Sequence, residues 1–235
     1  MNIFSQAFTW LNDPLNWTNP NGIVALLGEH MYLSGLAIAL ACLVSWPLGV
    51  WLGHTGRGGA VTVVIANLTR AIPTMALLSL LPLTVLGFGP QSVVPALAVF
   101  AVPPLLATAY TGVRDVDADA RDAALGMGFS RRDLLLRVEL PLAVPEMASG
   151  FRTAAVQTIA TTTLAALFDG GGLGEIIMRG FGLGMSVGGG QILAGGFLVA
   201  AIALLAEGVL AWAERLVTPP ALRDLAAASW RSSGD

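Results

Sequence analysis

Uncharged runs far longer than an ordinary soluble helix dominate this 235-residue chain. With His counted as neutral, residues 30–56 give 27 uncharged positions in a row, and residues 71–113 give 43. Charge is concentrated between Arg114 and Arg152, where 39 positions hold 13 of the 27 charged residues. Since a transmembrane helix needs about 20 apolar residues, the pattern predicts an all-α polytopic membrane protein with a polar loop in water on one side.

We place about five membrane spans, at residues 31–52, 61–86, 92–113, 144–168 and 191–216. The sequence Gly-Phe-Gly-Pro at 87–90 marks the turn between the second and third spans. Several prolines are expected to kink, bend or break the first three spans, because proline removes a backbone donor: Pro47, Pro73, Pro82, Pro95, Pro103 and Pro104.

Other segments frame the predicted transmembrane domain, residues 31–216. Residues 1–30 form an external N-terminal segment, whose first 22 residues are either an interfacial helix or a disordered tail. Residues 169–190 contain ten glycines, which predicts an irregular, protein-buried element, re-entrant or gate-like, rather than a lipid-facing helix. Residues 217–235 are a predicted cytoplasmic tail.

Composition narrows the function. Only 11% of residues are charged, against about 25% in soluble domains. All twelve basic residues are Arg, so the chain lacks the Lys that a phosphate-binding loop requires. Cys42 is the single cysteine, and His30 and His54 are too far apart to suggest a metal site. We expect no catalytic residues, no metal and no cofactor bound by this chain, and no nucleic-acid partner.

The distribution of arginine predicts the orientation. If the C-terminal tail is counted from Arg215, nine arginines of the loops and tails fall on one side of the membrane and only Arg179 on the other. Cytoplasmic loops are rich in basic residues. The N-terminus is therefore expected outside, and the C-terminus and the charged loop (114–141) inside the cell.

The charged loop has the pattern of a helix-turn-helix. Asp117 can cap a first helix, and Gly126 and Gly128 mark its end, where Gly128 is expected to have a positive φ. Ser130, followed three residues later by an acidic residue, resembles a capping box that starts a second helix. Pro141 is expected to end that second helix.

Motif residues in the loop resemble those of binding-protein-dependent ABC importer permeases. The family pattern is Glu-Ala-Ala, three residues, Gly, nine residues, Ile, any residue, Leu-Pro. This chain has Asp for the Glu and Val138 for the Ile, and otherwise matches it. The resemblance implies the type I importer permease fold, with the loop docking on a separate ATPase. The residues assigned to this coupling are Asp122, Ala123, Ala124, Gly128, Leu140 and Pro141.

The same resemblance implies a set of partners and a location. They are a pair of ATP-binding cassette subunits that use ATP and Mg, a second permease subunit, an extracytoplasmic substrate-binding protein and the lipid of a prokaryotic plasma membrane. Residues 165–182 resemble the glycine-rich segment of the branch that imports the osmoprotectants glycine betaine, choline and carnitine. An amino-acid (methionine-like) importer permease and a non-transporting membrane scaffold remain as alternatives.

Charged and glycine positions inside the predicted membrane domain suggest further roles. Arg70 and Pro73 resemble the Arg-x-Ile-Pro start of a pathway-lining helix in these permeases, and Gly172 and Gly174 are assigned to the pathway or gate. Arg152 and Glu207 lie at similar predicted depths from the cytoplasmic side, and a lone charge is costly there. We therefore expect Arg152 and Glu207 to form a structural ion pair.

Overall fold

A computed structural model gives the fold, and it describes residues 2–56 and 72–218, with Gly59 and Val64 between them. The described residues form ten α-helices, numbered in chain order: α1 Ile3–Asn12, α2 Pro14–Thr18, α3 Ile23–Thr55, α4 Thr74–Leu80, α5 Pro90–Arg114, α6 Ala118–Gly126, α7 Arg131–Leu134, α8 Leu140–Thr161, α9 Gly174–Gly182 and α10 Met185–Val217. Short 3₁₀ segments follow α4 at Leu81–Leu83 and α8 at Thr162–Phe168, and a π-helical turn, Leu135–Glu139, joins α7 to α8.

Three of the described helical stretches are long and apolar enough to cross a membrane. The first is Pro14–Thr55, which contains α2 and α3, and the others are α5 and α10. The predicted third span agrees with α5 to within two residues at each end. Helix α8 and its 3₁₀ extension cover the predicted fourth span and pack between α5 and α10. Residues 61–63 and 65–71 of the predicted second span, including Arg70, lie outside the described residues, and so does Arg57 before the span.

The first span begins earlier than expected. Helix α3 starts at Ile23 instead of residue 31, so residues 23–30 continue the helix of the first span. Glu29 and His30 do not end the helix, because their side chains have partners elsewhere in the fold. The prolines inside α3, α5 and α8 do not end these helices either.

The core lies where α3 and α5 meet, with α8 against them. Its fully buried side chains alternate between large and small, among them Leu33, Ala37, Leu97 and Ala154. Small residues let the backbones approach closely, as is common between membrane helices. A side chain at Gly150 of α8, for example, would overlap Thr108 of α5.

The glycine-rich segment is not one continuous helix. It has an irregular turn at residues 169–173, then α9, a second break at Gly184 and the start of α10. Helix α10 begins at Met185 and not near residue 191, because Gly188–Gly190 remain helical while buried against protein. A Cβ at Gly188 would overlap the backbone of Gly180. The glycines therefore serve close packing here.

The N-terminal segment is helical, which decides between the two alternatives considered for it. The side chain of Asn2 caps α1 through the backbone N–H of Phe4. Helix α1 packs on the start of α10 and leaves Phe4 and Phe8 exposed. Its placement on a membrane surface stays a prediction.

Candidate functional site

The charged loop contains the predicted helix-turn-helix. The Asp117 carboxylate accepts hydrogen bonds from the backbone N–H groups of Asp119 and Ala120, and so caps α6. After α6, Gly128 has a φ of +86°, as predicted, and its N–H donates to the carbonyl of Leu125. This left-handed position reverses the chain and sets the angle between α6 and α7.

The second helix of the loop starts as predicted but ends differently. The Ser130 hydroxyl oxygen accepts from the backbone N–H of Asp133 and donates to the Asp133 carboxylate. That hydrogen bond, with the nearby Arg137, lowers the pKa of Asp133. Pro141 does not close the helix, so that prediction was wrong.

A π-helical turn lets the chain continue through Pro141. Proline has no N–H to give the carbonyl four residues earlier, so a regular α-helix would leave that carbonyl without a partner. In the turn, the N–H of Leu140 reaches back five residues to the carbonyl of Leu135. The helical path from α7 into α8 is therefore unbroken.

The residues assigned to coupling fall into two groups. Asp122, Ala123, Gly128 and Pro141 are exposed, whereas Ala124 is buried and Leu140 is half-buried. Apolar side chains that the motif does not include are exposed beside them: Leu125 by 46%, Met127 by 71% and Leu136 by 56%. The surface that a partner can reach is thus more apolar than the motif alone indicates.

Glu139 is the functional candidate that sequence reasoning missed. It occupies the unspecified position of the motif, and it is only 1% exposed. Nδ1 of His54, at the end of α3, donates to Glu139 Oε2 at 2.5 Å, since a carboxylate can only accept. Nε of Arg121 in α6 lies 3.1 Å from Oε1, as a charge contact without hydrogen-bond geometry. The sequence held one signal that could have identified Glu139: it is a lone acidic residue within a mostly apolar stretch.

Arginines extend this cluster to α5. Arg121 donates through NH2 to the carbonyls of Val113 and Arg114, at the end of α5. Arg114 in turn donates to the carbonyl of Gly56, just after α3, and to the hydroxyl of Tyr110. The loop is therefore tied to the ends of two long helices by polar contacts.

The structure brings Arg152 and Glu207 together and adds a third member. Arg152 NH1 donates to Glu207 Oε1 at 2.8 Å, and Arg152 Nε lies 3.0 Å from Glu214 Oε2. Both carboxylates are on α10 and the guanidinium is on α8, so the cluster joins these two helices. With every member ionised, one positive charge faces two negative ones.

This third member changes the expected effects of mutation. Glu207→Gln leaves Arg152 paired with Glu214, and we expect a small loss of folded protein. Arg152→Gln leaves two carboxylates without a cation, and we expect a larger loss, equivalent to about 2–3 kcal/mol. The double variant should recover part of that loss. Monodisperse yield after detergent extraction measures each effect, and strictly additive losses would contradict the contact.

The glycine-rich turn is held by acceptors on α3. Gly171 and Gly172 have φ values of +81° and +82°. The backbone N–H of Gly172 donates to the Glu29 carboxylate at 2.9 Å, and that of Leu173 donates to Nδ1 of His30 at 3.3 Å. His30 Nε2 donates to the carbonyl of Ile159, so this buried imidazole is fully paired in its neutral form.

The residues assigned to the pathway or gate lie at separate places. Gly172 belongs to the turn beside α3, Gly174 begins α9, and Pro73 precedes α4. Arg70 lies outside the described residues. Neither glycine nor Pro73 is among the described residues that line a cavity between two of the long helices.

That cavity, of about 500 Å³, lies between α5 and α8 beside the start of α4. The described residues of its lining are uncharged and include both apolar and polar side chains: Ile72, Thr74, Phe100, Pro103, Pro104, Thr153, Gln157, Ala160 and Thr161. Pockets of 300–1,000 Å³ are typical of small-molecule sites. Ile72 and Thr74 flank Pro73, so the cavity reaches the stretch that resembles a pathway-lining helix.

Comparison with known families decides what kind of protein carries this architecture. The profile of the binding-protein-dependent transport system inner membrane component matches residues 45–219. The chain belongs to this family. It is a multi-pass component of the inner membrane, and its coupling-type loop, α6–α7, lies within the matched region.

Relatives of this inner membrane component extend over nearly the whole chain. It is 32% identical to the glycine betaine/carnitine/choline permease OpuCB of Bacillus subtilis, over 94% of this chain and 98% of that protein. It is 34% identical to the choline permease OpuBB of the same organism, over 88% and 94% of the two chains. The carnitine permease OpuCD of Listeria monocytogenes is 33% identical, over 86% and 89%.

Solved structures show the same fold at lower identity. Two crystal forms of the MetNI methionine ABC transporter, in inward-facing conformations, match this component with TM-scores of 0.73 and 0.75. Each match covers 88% of this chain and 100% of the other, at 21% and 20% identity. The inner membrane component therefore has the type I importer permease fold.

Proposed function

We propose that this chain is the transmembrane subunit of an ABC importer and forms the pathway for a quaternary-ammonium osmoprotectant: glycine betaine, choline or carnitine. One observation carries the substrate class: the full-length relatives at 32–34% identity are named for these compounds. The cavity between α5 and α8 supports it, because the residues described in its lining are uncharged, and a zwitterion or a cation moving along a pathway needs polar but weakly binding walls.

A separate subunit supplies the energy in this proposal. The chain has no Lys for a phosphate-binding loop, and the exposed apolar side chains of α6–α7 fit a docking surface on a pair of ATPases. ATP, with Mg, binds those subunits. Closure of the ATPase pair moves the two loops of a permease pair, and an extracytoplasmic binding protein delivers the substrate.

A methionine-like importer is the second candidate, and the match to the MetNI fold favours it. At about 20% identity that match supports only the fold and not the substrate. The osmoprotectant relatives, at 32–34% identity, are therefore the better guide to the substrate class. The scaffold alternative has no observation in its favour beyond the membrane helices.

Reconstituted uptake tests the proposal. Vesicles containing this chain, its ATPase subunit and its binding protein should accumulate radiolabelled glycine betaine, choline or carnitine when ATP is present. Accumulation of methionine instead would support the second candidate. ATP-dependent uptake of none of these compounds would contradict an osmoprotectant importer.

We also predict the orientation. In a Cys42→Ser background, a cysteine at the exposed position Arg131 of the loop should react with a membrane-impermeant maleimide only after the cells are opened. A cysteine at the exposed position Thr18, at the end of α2, should react in intact cells, since nine arginines against one favour a cytoplasmic loop. Labelling of position 131 from outside would reverse the topology.

A further inference from the structure

The buried carboxylate of Glu139 lies where three structural elements meet. Glu139 itself is in the π-helical turn before α8. Its partner Arg121 is in α6, and its partner His54 is at the end of α3. A charged group that is 1% exposed is tolerated when its partners compensate for the lost hydration. Any change in the angle between these elements would break one of the two contacts.

Few other contacts hold α6 to the long helices. Within the described part of the chain, α6 packs chiefly on α7 and on the π-helical turn rather than on α3 or α5. Polar groups make the connection instead. Arg121 of α6 contacts Glu139 and two carbonyls of α5. The Glu139 carboxylate also accepts a hydrogen bond from His54 of α3, so it connects α6 to that helix.

We propose that Glu139 is a positioning residue for transport, because it makes α6 turn together with the ends of α3 and α5. This inference rests on the proposed function, in which an ATPase docks on α6. Movement of α6 imposed by that partner then reaches α3 through His54 and α5 through Arg121. Without the carboxylate, α6 would lose its link to α3, and Arg121 would lose the charge contact that orients it toward the α5 carbonyls, so α6 would move against the long helices instead of moving them.

Glu139→Gln tests this in the complete reconstituted complex, with radiolabelled glycine betaine, choline and carnitine as probes. The variant keeps the shape but removes the charge. We expect the ATPase to remain bound and to hydrolyse ATP, while substrate taken up per ATP hydrolysed falls at least about fivefold. Arg137→Gln is the matched control: it breaks an exposed pair with Asp133 in the same loop and should leave this ratio unchanged. An unchanged ratio in Glu139→Gln would overturn the proposal.

Two further variants separate positioning from simple charge neutralisation. His54→Gln keeps the pair of Arg121 and Glu139 and should lower the same ratio, even if Glu139→Gln fails to fold. The double variant Arg121→Gln/Glu139→Gln removes both charges. If Glu139 only neutralised Arg121, this double variant would take up as much substrate per ATP hydrolysed as the wild type, and the proposal would be wrong. We expect the ratio to stay as low as in Glu139→Gln.

A readout without substrate keeps this proposal separate from the proposed function. Spin labels on cysteines at the exposed positions Asp119 in α6 and Thr55 in α3 report the distance between these helices, in the Cys42→Ser background. With ATP and the ATPase bound, we expect a narrow distribution in the wild type and a broad one in Glu139→Gln. Equal widths would overturn the positioning role. Absence of uptake by the wild type would contradict only the proposed function.

Discussion

Gly128→Val should abolish uptake while leaving membrane insertion intact. Its φ of +86° is a conformation that side chains resist, at about 1–2 kcal/mol and more for a β-branched residue. No atom lies within 4 Å of the added Cβ, so the cost is in the backbone and changes the angle between α6 and α7. Since 1.4 kcal/mol is a factor of ten, we expect at least about tenfold less uptake. Co-purification of the ATPase, measured beside uptake, shows whether docking is lost.

The neighbouring glycine supplies the control. Gly126 ends α6 with an ordinary helical backbone and also has open space around an added Cβ. Gly126→Ala should therefore transport like the wild type. Asp122→Arg should reproduce the loss by reversing a charge on the exposed side of α6. Wild-type uptake in both Gly128→Val and Asp122→Arg would mean that the loop is only a polar connector.

Gly171→Val should prevent stable folding of the glycine-rich turn. Its φ of +81° already disfavours a side chain, by about 1–2 kcal/mol, and the added Cβ would overlap the carboxylate of Glu29. That overlap displaces the acceptor of the Gly172 N–H, which becomes an unpaired donor. We expect a large drop in monodisperse yield and in thermal stability, both measured in detergent.

Two matched variants test that explanation. Gly182→Ala, at the end of α9, meets open space and should behave like the wild type. The double variant Gly171→Ala/Glu29→Ala removes the overlap but keeps the unfavourable φ and leaves the Gly172 N–H without its acceptor, so it should recover only part of the yield lost in Gly171→Ala. Full recovery would show that neither backbone strain nor the unpaired N–H contributes at this position.

The sequence predicted features that depend on local chemistry. Hydrophobic length located α5 to within two residues, and the preferences of Asp, Ser and Gly at helix ends located the caps of α6 and α7 and the positive φ at Gly128. These signals depend on neighbours in the chain, and they need no knowledge of the tertiary packing.

Features that depend on partners from distant segments were missed. The start of α3 was placed too late, because the acceptors that Glu29 and His30 provide for residues 172 and 173 appear only in the folded chain. Glu139 was overlooked for the same reason, since its partners are 85 and 18 positions away in sequence. Glu214 was also missed as a second carboxylate for Arg152, although one helical face of α10 carries both acids.

The π-helical turn at Leu135–Glu139 also bears on how such loops can change during evolution. A π-helical turn contains one residue more than an α-helical turn, so it is equivalent to a single-residue insertion in a continuous helix. In a uniform α-helix, one added residue would rotate everything beyond it by about 100°. Because a π-helical and an α-helical turn each complete one revolution, deletion of one residue here would restore a regular helix and leave α7 with nearly its present rotation relative to α8. A one-residue change in length at this turn would thus keep the same side of the loop facing the proposed ATPase.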